Sequence, residues 1–301
     1  MHIGIDIGGS HIGLVLVDND FNILKKGFIQ IKDEYKRLEK NSLNTAIINL
    51  IISGINSLKE NNEINSIGIG FPGLCDINKK HVIFTPNLNL DNNELIRIIQ
   101  DAYIDIPVYI DCDANCSTLA EINQGALQNV VNAVFLAIGT GIGGGIVIDS
   151  KLYRGSSFIA GEFGHMVIIK DGIECSCGNK GCFEKYASIC ALKRQCKEAG
   201  YEFETVEEIF NSSLTKKIVE QWVEYLSIGI ANIYNILDVE KIIIGGGASE
   251  HFDKYKKMLI EKVKSKICYK QKILNIEKSR MLNNAGAIGA SMLGSEYDEK
   301  K

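Results

Sequence analysis

A twelve-residue pattern occurs twice in this chain, and it constrains the fold more than any other feature. Residues 7–18 read IGGSHIGLVLVD and residues 138–149 read IGTGIGGGIVID. Glycine, turn, apolar strand and terminal aspartate fall in register. A β-turn-β unit used twice implies two related halves. Each copy follows an apolar stretch of strand character, 3–7 in the first case and 134–138 in the second. In the first half a third strand is expected near 23–31, and three strands joined by short turns imply an antiparallel meander. The chain has 301 residues, of which 46% are hydrophobic and 23% charged, enough for two domains with cores of their own.

The rest of the pattern alternates helix and strand. Helical spacing covers 41–61, with Ser42 as the expected N-cap. Strands are expected at 66–70, ended by Phe71-Pro72-Gly73, and at 82–85, ended by Pro86. A helix over 92–102 precedes a strand at 108–112, which delivers Asp113 at its C-terminal end; a helix over 115–124 follows. In the second copy a glycine turn over 139–145 leads to a strand at 146–149. Helices over 185–199 and 214–237, a strand at 240–244 closed by three glycines, a helix after Ser249, a strand at 272–277 and a last helix from 285 complete the reading. The expected division is an N-terminal lobe, 1–118, and a C-terminal lobe, 119–301, with room for the last helix to return to the first lobe.

Charge and hydropathy exclude several classes. Net charge is −4 with no basic block, which disfavours nucleic acid and anionic membrane as partners. The N-terminus MHIGIDIGG carries no signal-peptide pattern. Apolar runs such as VFLAIG are of strand length, short of the ~20 residues a membrane-spanning helix needs. Nine cysteines without a secretion signal point to reduced thiols and a cytoplasmic protein.

Three of those cysteines are not scattered. Cys175, Cys177 and Cys182 lie within eight residues, with His165 ten positions before the first. Three thiols and an imidazole make a complete tetrahedral set for structural zinc. Gly178 and Gly181 stand between them, where a loop must fold back on its ligands. Buried structural thiols and a disulfide are the competing accounts. The close spacing argues against the first and the reducing compartment against the second. Glu162 and Glu184 bracket the set, so a zinc loop here would fix two carboxylates and an imidazole beside a substrate pocket.

Glycine-rich turns follow three strands: Gly8-Gly9-Ser10, the turn from Gly139, and Gly245-Gly246-Gly247. Glycine lets main-chain amides approach an anion closely. Any one of these turns could serve a plain hairpin; three in a duplicated fold suit a nucleotide gripped between halves. The copies differ at one place: Asp6 precedes the first turn and Ala137 the second. A lone carboxylate beside a phosphate cradle suits a magnesium shell. None of the turns is a Walker A sequence. Asp113 has two readings, as an N-cap or as a general base at the C-terminal edge of a sheet. The carboxylates and turns around it favour the base.

The segments DIGGSHIG, FPGLCD, TPNL, DANCSTLAE, GTGIGGG, GEFGH, CSCGNKGCFE and IIIGGG, in that order, resemble the ROK family of sugar kinases over nearly the whole chain. The resemblance implies an α/β, two-lobed, actin-like ATPase fold of duplicated ribonuclease H-like domains with a zinc-binding loop. It implies phosphorylation of a hexose at the 6-hydroxyl with ATP and Mg²⁺, and a dimer. Carried over by motif, Asp113 is the general base. Asn87, Glu162, His165 and Glu184 resemble the sugar ligands, with His165 also a zinc ligand beside Cys175, Cys177 and Cys182. Asp6, Gly8, Gly9, Ser10 and His11 resemble the first phosphate turn. Gly139, Thr140, Gly141 and Gly143 resemble the second, and Gly246 and Gly247 the adenosine region.

Two departures narrow the substrate. Most glucokinases of the family have asparagine before the catalytic aspartate, where this chain has Cys112. They also have lysine or threonine-lysine after the first glycines, where Ser10-His11 stands here. With FPGL and FTPNLNL, these features most resemble the bacterial D-allose kinases. Glucokinase, fructokinase and N-acyl-amino-sugar kinase are the alternatives within the family. Sugar-responsive regulators of the same family carry a helix-turn-helix domain ahead of the kinase-like part. Since Asp6 already belongs to the first strand, that reading is disfavoured.

Overall fold

The duplication is carried by two five-stranded sheets of identical order. The computed structural model describes residues 1–8, 11–31, 39–78, 80–84, 92–281 and 284–298. The first sheet is built from β1 (His2–Ile7), β2 (His11–Val17), β3 (Ile23–Gln30), β4 (Ser66–Phe71) and, beyond a small hairpin of β5 (Leu74–Asp76) and β6 (His81–Phe84), β7 (Val108–Cys112). Its order is β3-β2-β1-β4-β7: an antiparallel meander with two parallel strands added beyond β1. The second sheet uses β8 (Ala133–Ile138), β9 (Ile142–Ile148), β10 (Lys151–Tyr153), β11 (Lys241–Gly245) and β12 (Ile276–Lys278) in the order β10-β9-β8-β11-β12, with the same directions.

Each sheet has its own core and compact unit. The first unit holds Met1–Asn123 and Arg154–Ile159 together with the C-terminal helix Ala285–Asp298. The second holds Gln124–Tyr153 and the chain from Ala160 through β12. β4 and β8 are buried, or nearly so, at every residue, as strands covered on both faces must be, whereas the edge strand β3 alternates half-buried with exposed positions. On one face of the first sheet the helix Lys40–Lys59 brings Ile47, Ile51 and Ile55 into a core with Ile5, Leu14 and Ile69. On the other face glycine admits the C-terminal helix at backbone distance. A Cβ added at Gly4 would lie 1.8 Å from the Ala287 oxygen, and one at Gly68 1.8 Å from the Ala290 oxygen. From the helix side, a Cβ at Gly289 would lie 1.6 Å from the Cys116 oxygen. In the second unit the helices Lys216–Leu237 and Phe252–Lys266 pack Trp222, Leu226, Tyr255 and Leu259 with Val134, Leu136 and Ile244.

Several expected boundaries move. Gly143, Gly144 and Gly145 belong to β9, opposite Ala137, Leu136 and Phe135, and the second turn shrinks to residues 139–141. The reason is packing: a Cβ at Gly144 would meet the Phe163 ring at 2.6 Å and the Phe135 oxygen at 2.9 Å. Ser42 lies inside its helix, which starts at Lys40 behind Glu39. The helix expected over 115–124 begins at Asp113 itself. The helix expected over 185–199 is two, Glu184–Ala187 and Ile189–Glu198, because Ser188 turns out of the first and caps the second by accepting from the Ala191 amide. The last strand covers only Ile276–Lys278. No helix among the described residues is long and apolar enough to cross a membrane.

Candidate functional site

In the second unit the four expected zinc ligands converge. One donor atom from each of His165, Cys175, Cys177 and Cys182 lies within 4.8 Å of all the others. The loop reaches this geometry through short-range bonds: the Cys175 amide to the Asn179 oxygen, the Gly178 amide to the Cys175 oxygen, and bridges pairing Val167 with Cys182 and Glu174 with Lys180. Gly181 has φ +81, and a Cβ there would strike the Ile169 oxygen at 1.7 Å, so the fold-back requires glycine. Cys177 and Cys182 sulfurs are 3.6 Å apart, and Cys175 Sγ is 3.7 Å from His165 Nδ1. Tetrahedral zinc with bonds of about 2.3 Å sets its sulfurs about 3.8 Å apart, so donor set and spacing fit that ion. Burial pushes the Cys182 thiol up to about 12, a balance that a bound cation reverses.

Both flanking glutamates meet this set. His165 turns its other nitrogen, Nε2, toward Glu162 Oε2 at 3.8 Å. Cys175 Sγ donates to Glu184 Oε1 at 3.3 Å. Burial raises the Glu162 carboxyl above its ordinary value, with His165 opposing and the Glu184 charge adding to the rise. Between Cys182 and Glu184, Phe183 is fully buried, and a Cβ at Gly229 would sit 2.4 Å from its ring. That anchor fixes the residues on either side of it. Glu184 also faces the second glycine turn: a Cβ at Gly141 would lie 2.7 Å from Glu184 Oε2. The turn is closed by the Gly139 amide on the Gly141 oxygen and tied to the next helix by the Ile189 amide on the Gly139 oxygen.

The third turn lies beside the second. β8 and β11 are parallel, with Gly245 opposite Ala137, and a Cβ at Gly246 would lie 2.6 Å from the Ile138 oxygen. Gly246 has φ +69, which glycine adopts freely. Cβ atoms added at Gly139 and Gly247 meet nothing within 4 Å, and Thr140 is exposed. Gly143, expected in the second phosphate turn, sits within β9, as His11, expected in the first, sits within β2. The second unit therefore gathers Glu162, His165, Glu184, the turn at 139–141 and the turn at 246–247.

In the first unit Asp6 and Asp113 approach one glycine. Asp6 ends the register of β1 opposite Gly70, and Gly70 lies opposite Asp111 on β7. A Cβ at Gly70 would lie 3.6 Å from the Asp113 Cα and 3.7 Å from Asp6 Oδ1. Both aspartates thus stand at the C-terminal edge of parallel strands. Asp113 accepts the Ala114 amide at 2.7 Å. The Asp6 carboxylate rests on the first turn of the C-terminal helix, where a Cβ at Gly286 would touch its Oδ2 at 2.3 Å. Burial pushes Asp6 up to about 6. A carboxylate so placed gains from a hard cation with oxygen ligands, and in that sense the site fits magnesium. His11 folds back on Gly8, whose amide donates to the His11 oxygen, and stacks on Phe28 with ring centres 5.2 Å apart. Gly9, Ser10 and Asn87 lie outside the described residues.

Sequence reasoning passed over Asp111, Asn115 and Arg154. Asp111 Oδ2 accepts from Arg154 Nε at 2.7 Å, and its Oδ1 accepts from Asn115 Nδ2 and the Cys112 amide, each at 2.8 Å. Arg154 donates its two other nitrogens to Glu296 at 2.6 and 2.5 Å. A charged residue inside an otherwise apolar strand was the available signal for Asp111. Arg154 gave none, because its partners are remote in sequence.

A family model, that of the ROK family, matches residues 2–296. The xylose repressor of Bacillus subtilis is 34% identical over 97% of this chain and 76% of its own length. The glucokinase of Streptomyces coelicolor is 27% identical over 98% of both chains. Among solved structures, a ROK family glucokinase from Streptomyces griseus in complex with glucose and AMPPNP superposes with a TM-score of 0.81 at 25% identity, covering 97% of this chain and 98% of the other.

Proposed function

The chain belongs to the ROK family, with its actin-like ATPase fold, and on that premise we propose that it is an ATP-dependent kinase acting on the 6-hydroxyl of a hexose, D-allose foremost. The observation that carries this reading is the pair of aspartates about Gly70. Asp113 takes the proton of the attacking hydroxyl as its oxygen bonds the γ-phosphorus of ATP and the bond from that phosphorus to the bridging oxygen breaks, releasing ADP. Asp6 provides the single carboxylate for Mg²⁺, which when bound neutralises phosphate charge. The turns at 8–10, 139–141 and 246–247 would receive the nucleotide by main-chain amides. Glu162, His165, Glu184 and Asn87 hold and orient the sugar hydroxyls. Little covalent work falls to the protein in phosphoryl transfer, so position and charge dominate. His165, Cys175, Cys177 and Cys182 would hold Zn²⁺, whose part is to brace the loop that carries the sugar ligands.

The preference for allose rests on Cys112, next to the base. Burial first, then Asp113 and Asp111, raise its thiol well above the ordinary value, so it stays uncharged. A thiol donates weakly, whereas an amide donates and accepts and can grip two adjacent hydroxyls. An unpartnered polar group in a desolvated pocket costs on the order of 1–3 kcal/mol, a discrimination of roughly ten- to a hundredfold. D-Allose should therefore have a higher kcat/KM than D-glucose, its carbon-3 epimer, and Cys112→Asn should shift the ratio toward glucose while activity persists. A tenfold wild-type preference for glucose would overturn the allose assignment.

A second reading, a sugar-responsive regulator, is favoured by the 34% identity to a xylose repressor. Xylose is a pentose and offers no 6-hydroxyl. The deciding experiment is ADP release with ATP and Mg²⁺ across allose, glucose, fructose, N-acetylmannosamine and xylose. Turnover with a hexose supports the kinase. Sugar binding without ADP release from any of them supports the regulator.

A further inference from the structure

The Arg154–Asp111–Asn115 chain surrounds the step at which β7 becomes the helix that starts with Asp113. Asp111 has one oxygen shared by the Cys112 amide and Asn115 Nδ2, both at 2.8 Å. Cys112 and Asn115 lie on either side of Asp113 in sequence, so one carboxylate oxygen clips the backbone before the aspartate to the side chain after it. The other oxygen is held by Arg154 Nε at 2.7 Å. Arg154 in turn is locked by a two-pronged pair to Glu296 on the C-terminal helix. Asp111 is 2% exposed and Asn115 2%, so both are shielded from bulk solvent. Among the described residues Asn115 Oδ1 has no hydrogen-bond partner, so the Nδ2–Asp111 bond is what orients this side chain there.

We propose that Arg154 is a positioning residue for Asp113: through Asp111 and Asn115 it holds the strand-to-helix step so that the Asp113 carboxylate is presented for proton transfer. The inference rests on the kinase reading. The guanidinium geometry is what the role demands. A planar fork can serve Asp111 along one edge and Glu296 along the other, while a lysine ammonium supplies the same charge without both edges. Asp111 cannot hold its own orientation, since the two groups it clips are both donors on the segment to be fixed. The third bond, from a residue 43 positions away in sequence, pins the carboxylate to the body of the unit. A misplacement of about 1 Å at a reacting group is enough for a loss near a hundredfold.

Wild-type turnover is measured first; its absence on every hexose defeats the kinase reading and this role with it. Given turnover, Arg154→Lys and Asn115→Ala are compared for kcat, for KM toward sugar and ATP, and for Tm. Each should lower kcat by about tenfold or more with both KM values within about threefold, the pattern of a defect confined to the chemical step. The double variant should lose no more than the worse single one, because both act through Asp111. Normal kcat in folded variants with a lowered Tm makes the network a structural staple and overturns the proposal, as does a rise in KM with kcat kept. Should Arg154→Lys fail to fold, Asn115→Ala, which strands no charge, decides alone. If Asn115→Ala also fails to fold, the network serves stability and the proposal falls.

Discussion

At the scale of single residues, two aspartates near one glycine are asked to do different work. Asp6 is flanked by the C-terminal helix and its carboxyl is raised by burial, and under the kinase reading it would be the carboxylate for Mg²⁺. Asp113 sits at a strand's end and begins a helix. Replacing Asp113 with asparagine keeps the shape and removes the proposed base. We expect ATP and sugar binding by calorimetry to stay near wild type while kcat falls at least ~10²-fold, the scale of lost general base help. Near-normal turnover would return Asp113 to a purely local role at the helix start. Both residues were legible in the sequence, because Asp6 precedes a glycine turn in only one of the two duplicated copies and Asp113 follows a strand. Arg154 was not, because an ion pair across 43 positions leaves no local pattern, and Asp111 offered only its charge inside an apolar strand.

At the scale of elements, the zinc loop and the glycine face of the first sheet make opposite demands. Between residues 170 and 181 the loop has one aliphatic side chain, Ile173, so under the zinc reading that part would rely on its ligands to fold. One zinc per chain is expected by elemental analysis of freshly purified protein. Cys177→Ala should release it and speed proteolytic cleavage within 166–182. Protein that contains no zinc while its loop resists protease would sink this assignment. The sheet face relies on the absence of side chains. Gly68→Ala places a methyl carbon 1.8 Å from a backbone oxygen, and the helix cannot yield locally. A loss of about 1–3 kcal/mol or more is expected from denaturant titration. By contrast, a Cβ at Gly13 meets nothing within 4 Å. Gly13→Ala should be neutral or stabilise by up to about 1 kcal/mol through the unfolded chain. Equal effects at the two sites would contradict the packing account.

At the scale of the whole molecule, the first unit is discontinuous in sequence. It takes Arg154–Ile159 and the helix Ala285–Asp298 from far along the chain, and that helix packs against β1, β2, β4 and β7. A chain ended before Ala285 would expose the Gly4 and Gly68 face. We expect hydrogen exchange in β1 and β4 to lose its protection while β8 and β11 keep theirs. Undiminished protection in β1 would show that the helix is an accessory to the unit.

By itself the sequence determined the repeat, the order of most elements and the cluster of His165, Cys175, Cys177 and Cys182, and it named the carboxylates from which the candidate site is proposed. These rest on short-range signals: period-two apolar strands, glycine after a strand, and cysteines close in sequence. Tertiary structure alone decided where glycine serves packing instead of turning. Gly143–Gly145 looked like a phosphate turn and became a strand, and at Gly144 the Phe163 ring and the Phe135 backbone oxygen lie where a side chain would go. It also decided that Glu184 touches both the zinc loop and the second glycine turn, and that Arg154 reaches Asp111. Such contacts join segments whose separation along the chain carries no periodicity, so their physical cause, close packing and charge pairing in a buried space, exists only once the fold has formed.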